Sequence, residues 1–159
     1  MILAPRSTGN FEIKLNDSIT LKSEDCVKCL GVKIDRNLTF SDHISTCCTK
    51  AARQLNALAR ISRYLNTSSR KIIYKSFIQS NFSYCPLTWH FCGKGNNSKV
   101  EKIQERALRL IYSDHVSSYD ELLIRNSSPT MLVNRLRQIA VEIFKSIHNA
   151  NPPYVSELM

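Results

Sequence analysis

The sequence has no long apolar run and few of the residues that mark unusual chains. Four Gly and five Pro in 159 residues exclude a collagen-like or low-complexity chain. No stretch approaches the roughly 20 apolar residues of a membrane span, and the first residues lack the apolar region of a signal peptide. We therefore expect one globular domain in the cytoplasm or nucleus, not secreted and with no membrane partner, and its six Cys as reduced thiols.

Acidic residues are missing from one long stretch. Residues 43–100 include nine Lys or Arg and no Asp or Glu, whereas 1–42 and 101–159 are each neutral. The formal net charge of +9 therefore comes entirely from the middle of the chain. Such a stretch attracts polyanions, and nucleic acid and anionic membrane are the abundant cellular ones. The alternative is a solvated basic surface that only keeps the protein soluble.

The first forty residues alternate apolar and polar side chains, as strands do. Residues 11–15 and 19–21 form a predicted hairpin around a turn at Asn16 and Asp17. Residues 27–34 form a predicted third strand, which Gly31 interrupts with a bulge or a close backbone approach. The pattern therefore predicts a small antiparallel β element at the N-terminus.

From Ser41 onward the apolar period becomes helical. Ser41 is the predicted N-cap of a helix that runs to Leu65, and its apolar stripe lies opposite a row of four cations. Ser98 is the predicted N-cap of a later helix. The fold class expected is α+β, mostly α, with a β element over 1–40 and a bundle of about five helices over 41–159. The four further helices are predicted over 70–84, 98–112, 119–125 and 130–148.

Apolar periodicity also predicts which parts of these helices are buried. The helix over 70–84 contains so many apolar residues, Ile72 and Phe77 among them, that little of it is expected to face water. Residues 93–98, rich in Gly and Asn, are expected to form a loop. The last helix, before Pro152 and Pro153, has a core-facing stripe that comprises Leu132, Leu136, Ile139, Ile143, Phe144 and Ile147.

Seven segments, in order and in register, are spread over most of the chain. They are VKCLGVKID (27–35), LTFSDHI (38–44), RKIIYKSFI (70–78), YCPLTW (84–89), VEKIQERALR (100–109), SYDELL (118–123) and NPPY (151–154). Together they resemble the reverse transcriptases of non-long-terminal-repeat (LINE, jockey-like) retrotransposons, in the part that follows the catalytic palm. The resemblance implies that 1–40 is the end of the palm and 41–159 a helical thumb-like region. It also implies a primer-grip-like segment at Cys29, Leu30, Gly31 and Val32.

The resemblance also implies what this chain does not do. Polymerases of this family carry an Asp-Asp box that binds two divalent ions for nucleotidyl transfer, and this sequence contains no adjacent Asp pair. We therefore expect a fragment with no catalytic or metal-binding residues that does not polymerise alone. No cofactor is expected for the fragment, although Mg²⁺ or Mn²⁺ is implied for the parent polymerase.

The implied partners are an RNA–DNA or RNA template–primer duplex and the missing palm and fingers of the parent protein. A polymerase must accept every sequence, so contacts with phosphates suit this task better than contacts with bases. The candidate nucleic-acid-binding residues are Lys50, Arg53, Arg60, Arg63, Arg70, Lys71 and Lys75.

Three alternatives use other residues. The spacing of Cys26, Cys29, His43 and Cys47 is close to that of a zinc site and would indicate a small zinc-dependent nucleic-acid-binding module. A second cluster, Cys85, His90 and Cys92, could hold a nucleophile and its base, but apolar neighbours favour packing instead. The third alternative is an inactive remnant or a helical interaction module that needs a partner.

Overall fold

The computed structural model describes residues 12–16, 19–22 and 24–148, with side chains from residue 24 onward. Two β-hairpins precede a set of helices, so the fold class, α+β and mostly α, is confirmed. The first hairpin pairs β1 (Glu12–Asn16) with β2 (Ile19–Lys22) in antiparallel register, as the alternating pattern predicts. The predicted helix stop at Pro152 and Pro153 lies outside the described residues.

The predicted third strand over residues 27–34 is wrong. The chain instead forms a second antiparallel hairpin, from β3 (Cys26–Cys29) to β4 (Val32–Asp35). Its two-residue turn is Leu30 and Gly31, which have φ angles of 45° and 90°. Positive φ at both positions is typical of the tight turn that matches the twist of a hairpin, so Gly31 marks a chain reversal and not a bulge.

Six α-helices follow within the described residues, one more than predicted, because a single turn, α3, was not expected. Between α2 and α3 the chain continues as a π-helical segment, Tyr74–Ile78, and a 3₁₀ segment, Gln79–Phe82. The helices are α1 (Ser41–Ile61), α2 (Thr67–Ile73), α3 (Pro86–Trp89), α4 (Lys94–Tyr112), α5 (Tyr119–Asn126) and α6 (Met131–Ile147). None of them is both long and apolar enough to cross a lipid bilayer.

The N-cap of α1 is Phe40 and not the predicted Ser41, and the carboxylate of Asp35 holds the turn that precedes the helix. Ser41 is the first helical residue, and Phe40 precedes it in the left-handed conformation. The carboxylate of Asp35 accepts backbone N–H bonds from Thr39 at 2.9 Å and from Phe40 at 2.6 Å. Burial alone would raise the pKa of Asp35, but these hydrogen bonds outweigh it and lower the pKa. The end of the second hairpin therefore fixes the start of α1.

Two other helix starts also differ from the prediction. The helix predicted to begin at residue 70 begins at Thr67 as α2, and Asn66 caps it, since its side chain accepts the N–H of Ser69 at 2.8 Å. In α4 the helix begins at Lys94, so the expected loop over 93–98 is mostly its first turn. The Asn97 side chain donates to the carbonyl of Cys92 at 3.2 Å, which holds this turn against the preceding segment. Asn and Gly are poor helix formers, and this tertiary contact overrides their propensity.

The core lies between α1, α4 and the segments that join them. The predicted apolar stripes of α1 and α4 are buried, and Val32 of the second hairpin belongs to the same cluster. Trp89, which sits on the single turn α3, is also fully buried. The largest apolar side chains that are fully buried are Ile44, Leu58, Ile78, Trp89, Leu108, Ile111, Leu122 and Val100.

The predicted burial of two other apolar sets is wrong. Ile72 and Phe77 are both exposed. The π-helical segment that begins at Tyr74 changes the helical phase before Phe77, whereas Ile72 lies on the outer side of α2. In α6 the predicted core stripe faces outward: Leu136 is 47% exposed and Phe144 is 60% exposed. The side of α6 that faces the core instead carries the buried residues Met131, Arg135 and Ser146.

The reversed orientation of α6 makes a prediction for stability. Replacing Leu55 of the α1 core by Ala should lower the free energy of unfolding by about 2–5 kcal/mol, because a cavity remains. The same change at Leu136, whose side chain is half exposed, should cost roughly 1 kcal/mol or less. Urea unfolding followed by circular dichroism measures both, and equal losses would mean that α6 buries its apolar stripe.

Candidate nucleic-acid interface

The four cations predicted to line the first helix are all exposed. Lys50, Arg53 and Arg60 lie on α1, and Arg63 lies on the 3₁₀ turn Ser62–Tyr64 that ends it. The opposite side of α1 buries its apolar residues in the core. At 1.5 Å per residue, the row from Lys50 to Arg60 is about 15 Å long. The structure therefore has the two-sided helix that the sequence predicts, and we call these four residues the α1 row.

The α1 row begins beside a cavity between the second hairpin and α1. This cavity has a volume of about 370 Å³, and its lining includes three lysines and no carboxylate. The Lys33 ammonium donates to the hydroxyl of Thr46 at 3.2 Å, so it is held at the cavity wall. A neighbouring groove of about 510 Å³ shares Lys33 and Lys50 and adds Arg53 and Asp42. The lysines of the cavity are Lys28, Lys33 and Lys50.

Lys28 and Lys33 extend the cationic surface, yet the sequence prediction omitted both of them. They belong to the segment 1–42, whose charges sum to zero, so the charge count gave no signal there. The signal that could have found them is the hairpin turn at Leu30 and Gly31. A turn at that point places the two strand lysines opposite each other, and Lys28 does pair with Lys33 in the antiparallel register.

The primer-grip-like residues lie at the tip of the same hairpin. Cys29 and Leu30 are exposed, whereas Val32 is buried in the core. The Tyr84 hydroxyl donates to the carbonyl of Leu30 at 2.6 Å and so ties the tip to the segment before α3. A Cβ atom at Gly31 would lie 3.6 Å from the Tyr84 ring, which is ordinary van der Waals contact. The positive φ of Gly31, and not crowding, therefore explains glycine there.

Arg70 does not belong to the phosphate-binding surface predicted for it. Its guanidinium donates to the carbonyls of Ser62 at 2.7 Å and Leu65 at 3.0 Å, near the end of α1. The same group donates to the carbonyls of Leu110 and Ile111, both at 3.2 Å, in the last turn of α4. The guanidinium thus donates to carbonyls at two helix ends and joins those ends. We therefore assign Arg70 a structural role and leave it out of the interface.

The two remaining predicted residues differ in their surroundings. Lys71 is half-buried, and its ammonium lies 5.0 Å from the centre of the Tyr112 ring. Lys75 is exposed on the π-helical segment. At the end of the α1 row, the Arg63 guanidinium lies 4.7 Å from the centre of the exposed Tyr64 ring. Lys75 and the α1 row are therefore the predicted cations that are fully available to an anion.

The zinc alternative finds no support in the geometry. His43 and Cys47 are neighbours, with 3.8 Å between Nε2 and Sγ. Within residues 24–148, however, no three His, Cys, Asp or Glu side chains come close enough to share a metal ion. Burial is the main reason that the pKa of His43 is lowered and that of Cys47 is raised. Both are thus held neutral, as expected for half-buried packing residues.

The second thiol cluster is built into the packing around α6. Cys92 is buried, and Arg135 of α6 lies 3.9 Å from its sulfur. The same guanidinium lies over the Trp89 ring at 4.5 Å and donates to the side chain of Asn97. Burial and the charge of Arg135 lower the pKa of His90. These contacts fix α6 against the start of α4 and explain why Arg135 is only 2% exposed.

This cationic, mostly helical chain is similar to parts of two RNA-directed DNA polymerases, and the similarity supports a reverse-transcriptase-related region. It is 29% identical over 99 residues to a probable RNA-directed DNA polymerase from transposon X-element of Drosophila melanogaster. It is 24% identical over 98 residues to a probable RNA-directed DNA polymerase from transposon BS of the same fly. Each match covers 60% of this chain but only 11% of the relative. No family model and no solved structure matches.

Arg70 is bonded to helix ends and Lys75 is exposed, so replacing each of them should affect the stability of the fold differently. Arg70→Gln should lower the free energy of unfolding by about 2–3 kcal/mol, because buried carbonyls lose a charged donor. The exposed Lys75→Gln, which removes the same charge, should change it by roughly 0.5 kcal/mol or less. Thermal unfolding compares the two variants. Equal stability of the two would contradict the structural role of Arg70.

Proposed function

We propose that this chain corresponds to the primer-grip and thumb portion of a LINE- or jockey-like reverse transcriptase and that it holds template–primer nucleic acid. The observation that carries the proposal is the exposed α1 row on a helix whose other side is buried. The names of the two relatives support an RNA-directed DNA polymerase as the parent protein. The partner would be an RNA–DNA or RNA duplex in the cytoplasm or nucleus.

In this proposal the phosphate backbone supplies the affinity. Long flexible cations on a rigid helix neutralise phosphates and release counterions without reading the bases. The lysine-lined cavity beside the second hairpin would receive phosphates at one end of the α1 row. The hairpin tip at Leu30 and Gly31 would lie against the same strand, as the resemblance to a primer grip implies.

We further infer that the chain does not polymerise by itself. Nucleotidyl transfer needs carboxylates that hold two divalent ions, and the sequence has no adjacent Asp pair. The chain spans about a tenth of the length of the relatives it matches, so the palm and fingers would come from the rest of such a protein. Mg²⁺ or Mn²⁺ would bind to those parts.

Salt dependence tests the proposed binding. If the interface neutralises four to six phosphates, the plot of log K against log salt for a hybrid duplex should have a slope of roughly −4 to −5. Replacing the four residues of the α1 row by Gln should make that slope less negative by about 3.6, because each cation contributes about −0.9. Fluorescence anisotropy with a labelled RNA–DNA duplex over a series of KCl concentrations measures the slope.

A matched control removes charge from another face. Arg137→Gln together with Lys145→Gln, both on α6, should leave the slope unchanged. An unchanged slope in the α1 variant, or an equal decrease in the α6 variant, would reject the proposed face. Circular dichroism of each variant confirms that the fold is retained, as exposed cations predict.

A helical interaction module is the second candidate, and the exposed apolar stripe of α6 favours it. The stripe is symmetric about the point between Ile139 and Ala140. A second copy lying antiparallel would therefore place Leu132 opposite Ile147 and Leu136 opposite Ile143. Such pairing would cover apolar side chains that are 38–68% exposed in the single chain.

The oligomeric state tests this second candidate. Sedimentation velocity should show a dimer that Leu136→Glu converts to a monomer, because a buried charge opposes association. Ile124→Glu, at an exposed apolar residue of α5, is the matched control and should leave the dimer intact. A monomer at every concentration of the unmodified chain would exclude self-association through α6.

A further inference from the structure

The cationic surface does not end at α1, because α4 lies beside it and runs in the same direction. Near the start of both helices, the Asn96 side chain donates to the Ser41 hydroxyl at 3.0 Å. Further along, the Arg106 guanidinium donates to the side chain of Asn56 at 3.5 Å. The second contact lies further along both helices than the first, so α1 and α4 are neighbours that run parallel.

Charges on α4 are sorted by side. Lys99, Lys102 and Arg106 are spaced by three and four residues, so they share one face of the helix, and all three are exposed. Arg106 contacts Asn56 of α1, and Lys99 is close enough to Cys48 of α1 to lower the pKa that burial raises. This face of α4 is therefore the one that borders α1. We call these three residues the α4 row.

The acidic residues of α4 lie on its other side and are already engaged. Glu101 accepts the Tyr119 hydroxyl at 2.7 Å and the N–H of Leu132 at 2.9 Å. Glu105 accepts the Arg109 guanidinium at 2.8 Å. Glu101 thus holds the α5–α6 side of the molecule, away from α1, and Glu105 is paired within α4. The neutral sum over residues 101–159 hides this separation, which is why the charge count did not reveal it.

We propose that the α4 row is a second phosphate-binding row and that the α1 and α4 rows together select a double-stranded nucleic acid. The inference rests on the proposed function and deepens it. Packed helices lie about 8–10 Å apart, so the two rows form separate, roughly parallel lines of positive charge. A single strand offers one line of phosphates, whereas an A-form duplex offers two backbones that border a wide, shallow minor groove.

The test compares duplex with single strand. In Lys102→Gln/Arg106→Gln, the slope of log K against log salt for a hybrid duplex should become less negative by about 2, because two phosphate contacts are lost. The slope for single-stranded DNA of the same sequence should not change. Lys99→Gln/Lys102→Gln should give the same result while keeping the contact between Arg106 and Asn56. The α6 pair Arg137→Gln/Lys145→Gln is the control for lost net charge.

Each outcome has a distinct meaning. An effect on the duplex slope alone supports the two-row arrangement. An equal effect on duplex and single strand, or no effect on either, overturns the inference while leaving binding by the α1 row in place. If the unmodified chain binds neither nucleic acid, the proposed function itself fails, and the α4 row fails with it.

Discussion

The packing of α1 and α4 side by side is the constraint on which the other features depend. Each helix buries an apolar stripe in the shared core, and this burial alone determines which side chains are left for solvent. Arg70 joins the ends of the two helices by donating to carbonyls of both, so it fixes their alignment. The cations need no contacts of their own to be displayed, because the core holds the helices that carry them.

The second hairpin contributes both to the start of α1 and to the cationic surface. The second hairpin ends at Asp35, whose carboxylate accepts the N–H groups of Thr39 and Phe40 immediately before α1. The same hairpin brings Lys28 and Lys33 beside Lys50, so one short element both begins the helix and extends the cationic surface.

Much of this arrangement could be predicted from the sequence, and the failures have physical causes. Long amphipathic helices such as α1 were predicted well because apolar period and exposed charge agree along the whole segment. The hairpin turn at Leu30 and Gly31 was missed because leucine rarely adopts a positive φ, so Gly31 by itself was interpreted as a bulge. The orientation of α6 was missed because Arg135, a charged residue, is buried against Trp89 while the apolar stripe faces outward. Charge counted by segment found the α1 row but concealed Lys102 and Arg106.

Amine-acylation footprinting tests the central claim most directly. The chain is treated with an acylating reagent in the presence and absence of a hybrid duplex, and mass spectrometry measures the modification of each lysine. The account predicts that the duplex protects Lys50 on α1 and leaves the reactivity of Lys145 on α6 unchanged. Protection of Lys145 with undiminished reactivity of Lys50 would contradict it.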